Sequence, residues 1–571
     1  MKEKKSHFKL ILQTFFLIFI FNTTNANNLD KYYSEDKISD YFSGLLSLDD
    51  NNYSEAYKYL KQLDGLEKHH TYYSQNYQYS LVILERFQEA FNFSKKLEKE
   101  GRSSFESNLI IGVYYLKNKK YELSKKYFKK LEKNNFNSPL QMLISISAIS
   151  WTNLTDLNLR EGLDLINKIP NNFDSIKRIQ NALAHCYYDS DQTNKVFQNI
   201  VENKKVDFSR YNFFYANYLN RKGKKNQALN IVNESSKNYP GNLILKQFKI
   251  ELNSIDSRKI SNKFNCQELP DVLAEIFYII SNALSAQKNY SLSNFFLNLA
   301  KYLNKDFVSY DTLYAENFYM IENYEKSKKI YNEIAKNGRV YFWHASKKIS
   351  RILIEEKKKK EAIKFLESTY KKIKNPTLYE TYDYAYFLKN NEKFNDSLGY
   401  YTKVINSIDE KHELYAPATD GRGIVYEQLG QWNKAEKDFL ESLRVSPDQA
   451  YVINYLAYSW IEKGINVEKS LEMLAKANRL KKNDGYIIDS LGWAFFKLKR
   501  YKEAKKYLEL AVQIMPSDPV INDHYADSLW MNDKAIQARF FWNYVLSLEK
   551  TKTELKEKIK EKLIFGPKLK S

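Results

Sequence analysis

From Gly485 to Asp518 apolar residues recur every three to four positions, break at a polar turn, and resume with the same period. Ile488, Leu491 and Phe495 mark the stripe of a first helix, and Ala504, Leu508 and Ala511 that of a second. The smallest residues on these stripes, Gly492 and Ala504, stand twelve positions apart. One small residue on each of two antiparallel helices lets their axes approach, and Phe495 and Leu508 fill the space beside the crossing. Pro516 cannot continue the second helix, so a new unit starts after it. The 34 residues from Gly485 to Asp518 therefore predict one helix–turn–helix repeat.

The same spacing of small residues runs along most of the chain. It appears at Gly44 with Ala56, Gly112 with Ser124 and Ala216 with Ala228, and Ala90 marks a shortened unit between the first two. It returns at Ser281 with Ser293, Ala315 with Ser327, Ser350 with Ala362, Ala385 with Ser397 and Gly423 with Ala435. Ala457 and Ser470 carry one extra residue at the turn, and Ala526 with Ala538 follows Gly492 with Ala504. Gly423, Ala435, Ala457, Gly492, Ala504, Ala526 and Ala538 are thus the repeat-defining residues of this stretch, punctuated by Pro447 and Pro516. Residues 139–200 keep a helical apolar period but fit the template poorly. The expected fold is all-α: a right-handed α-solenoid of about a dozen tandem units, elongated and curved, in which each unit touches only its neighbours. The expected divisions are a signal peptide over 1–26, a divergent solenoid over 27–242, an irregular connector over 243–273, and a second solenoid over 274–552. Its best repeats lie in 416–552, and a capping helix with a tail fills 553–571.

The N-terminus sets the expected compartment. Lys2, Lys4, Lys5 and Lys9 precede the apolar run Leu10–Phe21, and a short polar stretch ends at Ala26. That layout predicts a secretory signal cut after Ala26, or an uncleaved anchor, in a periplasmic protein of a Gram-negative cell. No later apolar run reads as a membrane span. Losing four lysines and one glutamate with the signal lowers the formal charge from +20 to about +17. Lysine dominates the cations and is scattered among Asn, Ile and Tyr, which fits solvated helix faces better than an arginine-rich nucleic-acid surface.

Candidate chemistry is sparse, and no enzyme, cofactor, metal or small-molecule substrate is expected. His69 and His70 are adjacent and point to different faces of a helix, so they cannot chelate as an i,i+4 pair would. His185 beside Cys186 fails as a base–nucleophile pair for the same reason. Gly421-Arg422-Gly423 opens like a phosphate loop, but Gly423 is the small position of a repeat. Cys186 and Cys266 are 80 residues apart, beyond bridging distance in a linear solenoid. Only a fold-back of the irregular stretch 243–270 would join them.

Partners are expected to be proteins. The first helix of each unit lines the concave side of a solenoid. With Gly492 as the eighth position, the inward offsets hold Tyr486, Asp489, Trp493 and Phe496. The unit before offers Tyr451, Asn454, Tyr458 and Ile461; the unit after offers Val520, Asp523, Asp527 and Trp530; Tyr379, Tyr382 and Tyr386 match them upstream. The expected groove is an aromatic strip set with carboxylates, with Tyr382, Tyr386, Tyr451, Tyr458, Tyr486, Asp489, Trp493, Phe496, Asp523 and Trp530 as partner contacts. The other reading of these rings is packing between repeats.

The Gly485–Asp518 pattern resembles the tetratricopeptide repeat. Residues 416–548, through the segments NYLAYSWIEKGINVEKSLEMLAKA, DSLGWAFFKLKRYKEAKKYLELAVQIMPSDP and HYADSLWMNDKAIQARFFWNYVL, resemble the repeats of Gram-negative envelope proteins. Some members of that group are outer-membrane lipoproteins that bind a carboxyl-terminal processing protease. The resemblance implies a non-enzymatic adaptor with envelope proteins or a protease complex as partners; the alternative is a biogenesis component that positions a polysaccharide or peptidoglycan enzyme. The acylated Cys of the lipoproteins has no counterpart near residue 27. The Lys/Asn clamp that chaperone-tail-binding repeats use for a terminal carboxylate is replaced by Asp489 and Trp493, or Asn454 and Tyr458.

Overall fold

A computed structural model describes residues 35–132, 138–202, 208–254 and 263–567. The expected signal at 1–26 lies outside them. The described residues form 30 α-helices and no strand, as the 3.6-residue period requires.

The twelve-residue spacing works through sterics. A Cβ on Gly492 would lie 2.7 Å from Leu508 Cγ, and one on Gly423 would lie 2.9 Å from the Phe439 ring and 3.3 Å from the Ala435 carbonyl oxygen. Ala435, Ala457, Ala504, Ala526 and Ala538 are each 0% exposed, so nothing outside the repeat can reach them. Where serine takes the second small position it adds a bond that alanine cannot make. The hydroxyls of Ser124, Ser293, Ser327 and Ser397 each donate at 2.8 Å to the carbonyl of the first small residue, Gly112, Ser281, Ala315 and Ala385. The first helices also stop alike. A left-handed residue follows the last turn, and the next N–H reaches back five residues, as in Lys120 N to Tyr115 O, Arg500 N to Phe495 O and Lys534 N to Leu529 O. The extra residue after Ala457 is absorbed by two left-handed residues, Gly464 (φ 69°) and Asn466 (φ 50°).

The chain divides into two compact units, Met1–Lys358 and Lys359–Ser571. The division does not fall at the connector expected over 243–273, which lies inside the first unit: Leu243–Asn253 is a helix, 255–262 lie outside the described residues, and a long helix starts at Leu269.

The first unit departs from a chain of nearest-neighbour contacts. The pair Leu269–Ala286 and Tyr290–Leu303 turns back onto Thr71–Ile83, Phe105–Lys117, Pro139–Asn153 and Asp174–Tyr187. Rings mark the return: Phe87 stacks on Tyr302 at 4.0 Å and Tyr79 on Phe295 at 5.9 Å. The Asn298 amide reaches Ile83 O, and Lys301 pairs with Glu85 at 3.1 Å. Leu269–Ala286 is long and apolar enough to cross a membrane by length and composition, contrary to the sequence expectation of no later span, yet 56% of it is buried inside the unit. A helix apolar on most faces belongs in a core when other helices surround it.

Two polar links secure the return. The Arg210 guanidinium donates twice, at 2.7 Å, to the fully buried carboxylate of Glu275, and lies 4.0 Å over the Tyr278 ring. Cys186 and Cys266 form a disulfide with Cα atoms 5.9 Å apart. The linear-solenoid expectation against that bridge is thus overturned by the fold-back. Residues 263–268 lie against Ser209–Arg221, where Asn217 donates to Phe264 O at 2.8 Å and Phe264 packs edge-on against Phe214.

The second unit stacks its helix pairs in sequence, from Leu378–Asn390 with Phe394–Asn406 to Pro519–Trp530 with Ala535–Ser547. One core runs from Ala457 through Ala504, Ala526 and Ala538 to the terminal helix Thr553–Phe565, which buries Ile559 and packs Leu555 and Leu563 against it. Ala435 belongs to the neighbouring core upstream, with Phe439, Leu456 and Trp460.

Candidate functional site

The inward offsets of the second unit's first helices split into filled and open positions. Trp493 is filled: only 8% exposed, its ring stacks on Phe496 (4.7 Å) and on His524 of the next repeat (4.0 Å), and Nε1 donates to Glu462 at 2.6 Å. Phe496 is buried with it. Trp530 is half-buried against Trp542, and Gly566 packs on its indole with no room for a Cβ. These rings, expected as partner contacts, are taken up by packing within the chain: Trp493 is covered by His524 of the following unit, Phe496 stacks on Trp493, and Trp530 packs on Trp542 of its own helix pair and on Gly566. The repeat-defining Ala435 and Ala538 likewise lie outside any partner's reach: both are enclosed at helix crossings and act through packing alone.

The carboxylates at the C-terminal end are also engaged. Asp489 accepts from His524 Nδ1 at 3.0 Å with both oxygens. Asp523 accepts from Trp542 Nε1 at 3.1 Å and from Lys562 at 2.8 Å, and Asp527 accepts from Lys562 at 2.7 Å. Burial opposes a charge on His524, but Asp489, joined by Asp523 and Asp527, outweighs it and raises the imidazole pKa. Burial and the Asp523 charge push Asp527 up to about 7 despite Lys562. Lys562 comes from the terminal helix, so the chain's own end neutralises the last carboxylates of the strip.

The open positions lie elsewhere. Tyr386, Tyr451 and Tyr486 are each half exposed or more, and Val520 nearly so. Tyr451 donates to Asp484 at 3.0 Å beneath the Lys481 ammonium. Tyr382 and Tyr458 are half-buried, and burial raises the pKa of both hydroxyls. Asp420 is a functional candidate that the inward-face reading passed over. It stands three residues before Gly423, as Asp489 stands before Gly492, so the offset itself marked it. It has no hydrogen bond or ion pair among the described residues, and burial pushes its carboxyl up to about 7, offset in part by Lys389.

Arg422 is held by Asp438 through two bonds of 2.7 and 2.9 Å, His185 Nδ1 pairs with Ser190 at 2.7 Å, and Cys186 has no free thiol. Among the described residues no three His, Cys, Asp or Glu side chains converge on a metal position.

Family models described as tetratricopeptide repeat match residues 105–137 and 321–551. These two stretches carry tetratricopeptide repeats. A 99-residue stretch is 28% identical to the TPR repeat-containing protein PA4667 of Pseudomonas aeruginosa, covering 17% of this chain and 17% of that protein. The fold resembles a TPR protein from Parabacteroides merdae at 16% identity and a TM-score of 0.32, over 39% of this chain and 86% of that one. It also resembles a thermophilic TPR protein of Thermus thermophilus at 14% identity and a TM-score of 0.29, over 33% of this chain and all of that one. TPR arrays are non-catalytic interaction modules as a rule, and their stacked first helices build extended binding surfaces.

Proposed function

We propose that this chain is an exported, non-enzymatic scaffold that binds partner polypeptides along the inward face of the unit Lys359–Ser571. The observation that carries this reading is the set of open tyrosines, Tyr386, Tyr451 and Tyr486, at the offsets expected to face inward in three TPR units. Tyrosine offers a large contact area at small entropic cost, and exposed tyrosines on a rigid scaffold serve as binding anchors. Asp420 adds a desolvated carboxylate without a partner, which favours a segment bearing Lys, Arg or amide donors.

Two features support export to the periplasm: the Lys-flanked apolar run Leu10–Phe21, and a disulfide of a kind that persists in oxidising compartments. Envelope proteins, among them a carboxyl-terminal processing protease and its substrates, are the proposed partners. A biogenesis role that positions a polysaccharide or peptidoglycan enzyme is the second reading.

The test uses chain exported from a Gram-negative host, whose mass gives the first residue, expected to be Asn27. A partner captured from envelope extract is measured against wild type and the Tyr451→Ala, Tyr486→Ala variant. Affinity falls by about tenfold or more while the far-UV spectrum is unchanged. Unchanged affinity refutes the inward face as the binding surface.

A further inference from the structure

Within the unit Lys359–Ser571, the helix Leu378–Asn390 packs on the first helix of the next repeat, Tyr415–Gln428. Lys389 on one and Asp420 on the other both stand at offsets expected to face inward, four after Ala385 and three before Gly423. Aromatic contacts join the two positions. The Tyr401 hydroxyl packs on Gly421, where a Cβ would lie 2.8 Å from it, and the Tyr401 ring meets Tyr382 at 5.9 Å. Because Gly421 has no side chain, the helix closes on Tyr401 and brings Asp420 beside these rings. One turn on from Tyr382, the Tyr386 ring carries the Lys389 ammonium at 5.0 Å.

Asp420 and Lys389 do not close on each other. Neither makes a hydrogen bond or ion pair among the described residues, so carboxylate and ammonium lie more than 4.0 Å apart. Among those residues Asp420 feels the charge of Lys389 alone, and Lys389 that of Asp420 alone. Burial raises the carboxyl and lowers the ammonium, the reverse of what a closed pair produces. The chain closes such pairs elsewhere: Arg422, two residues on, donates to Asp438 at 2.7 and 2.9 Å, and Arg210 donates to Glu275 at 2.7 Å. Both groups keep part of their surface in solvent, beside the half-exposed Tyr386. A cation entering there is repelled by Lys389, and an anion by Asp420. A neutral group with a donor and an acceptor side by side satisfies both.

We propose that this gap takes the side-chain amide of an Asn or Gln of the partner polypeptide. Its NH2 donates to Asp420, its oxygen accepts from Lys389, and its stem lies along Tyr386. Both groups are less exposed than Tyr386, so a side chain reaches them where a backbone does not. The proposal rests on polypeptide binding by this face and narrows it: among the donors that suit Asp420, only an amide also suits Lys389.

The probe is a peptide selected on the exported chain from a random displayed library, resynthesised and titrated by fluorescence anisotropy. It carries an Asn or Gln whose change to Ala weakens binding by about tenfold. Lys389→Met keeps the stem over Tyr386 and removes only the ammonium; it and Asp420→Ala each weaken the peptide by a similar factor, with melting temperatures measured alongside. The signs decide. Tighter binding by Lys389→Met means that the site takes a cation, and tighter binding by Asp420→Ala an anion; either overturns the proposal. Affinity unchanged in both variants, but lost in Tyr451→Ala, Tyr486→Ala, overturns the amide clamp and leaves the binding face standing. A library that yields no binder overturns both.

Discussion

Replacing Cys186 and Cys266 together by Ala removes a cross-link between residues 80 apart in sequence. In the chain-entropy model, closing a loop of that length restricts the unfolded chain by about 4.5 kcal/mol at 25 °C, and native bridges are commonly worth about 2–4 kcal/mol. The native fold-back has other supports that survive the change. Asn217 donates to Phe264 O at 2.8 Å, Asn304 donates to Lys263 O at 2.9 Å, and Phe264 stays packed on Phe214 at 4.4 Å. Each such hydrogen bond contributes about 1 kcal/mol. The variant should therefore keep its structure and lose stability. The assay is urea unfolding of exported chain, followed by amide hydrogen exchange to locate the change. The expected loss is about 2–4 kcal/mol, confined to peptides of the first unit and reproduced in wild type by a reductant. Two results would refute the reasoning: both cysteines alkylating in native, exported protein, or an unfolding midpoint indifferent to the reductant.

Glu275→Gln should cost roughly 3–5 kcal/mol, because it strands the enclosed Arg210 guanidinium without its carboxylate; an Arg210→Met, Glu275→Leu pair should cost less, and chemical denaturation compares the two. Gly492→Leu should lower stability by roughly 1–3 kcal/mol or more, since even a Cβ there meets Leu508; an unchanged melting curve would disprove the repeat register. Trp493→Ala should lower the melting temperature of the second unit, the cavity left by this buried indole between Phe496 and His524 costing roughly 3–5 kcal/mol. Asp420 and Asp527, both pushed up to about 7, and His524, raised above its ordinary value, hold protons that the unfolded chain has released. The folded unit then binds more protons, so this contribution falls as pH rises. The two carboxyls contribute fully below about pH 4 and lose that contribution by pH 7, whereas His524 contributes below about pH 6.5 and loses it above. Denaturation midpoints should show a shallower fall between about pH 4 and pH 7 in Asp420→Asn and Asp527→Asn, and identical slopes would contradict the assignment.

Helix pairing was legible in the chain because its causes are local. Gly492 and Ala504 sit twelve residues apart, the left-handed turn lies between them, and Pro516 ends the unit, so one 34-residue window holds every determinant. Ala435 and Ala538 were legible as crossing points on the same grounds, and both are fully enclosed. The offsets also singled out Tyr451 and Tyr486, which are exposed, and the same offset from Gly423 falls on Asp420. Whether an inward side chain stays open depended on residues from other repeats. Trp493 is covered by His524 and Asp523 is neutralised by Lys562, 31 and 39 positions on, and no periodicity reports such a match. The return of Leu269–Leu303 onto helices that begin near Thr71 was decided wholly by tertiary structure. Its contacts join residues as much as 216 apart, and the same apolar stripes would serve an open solenoid equally well. The Cys186–Cys266 bridge follows from that return, since a repeat pattern specifies how neighbours stack but not whether the superhelix closes on itself.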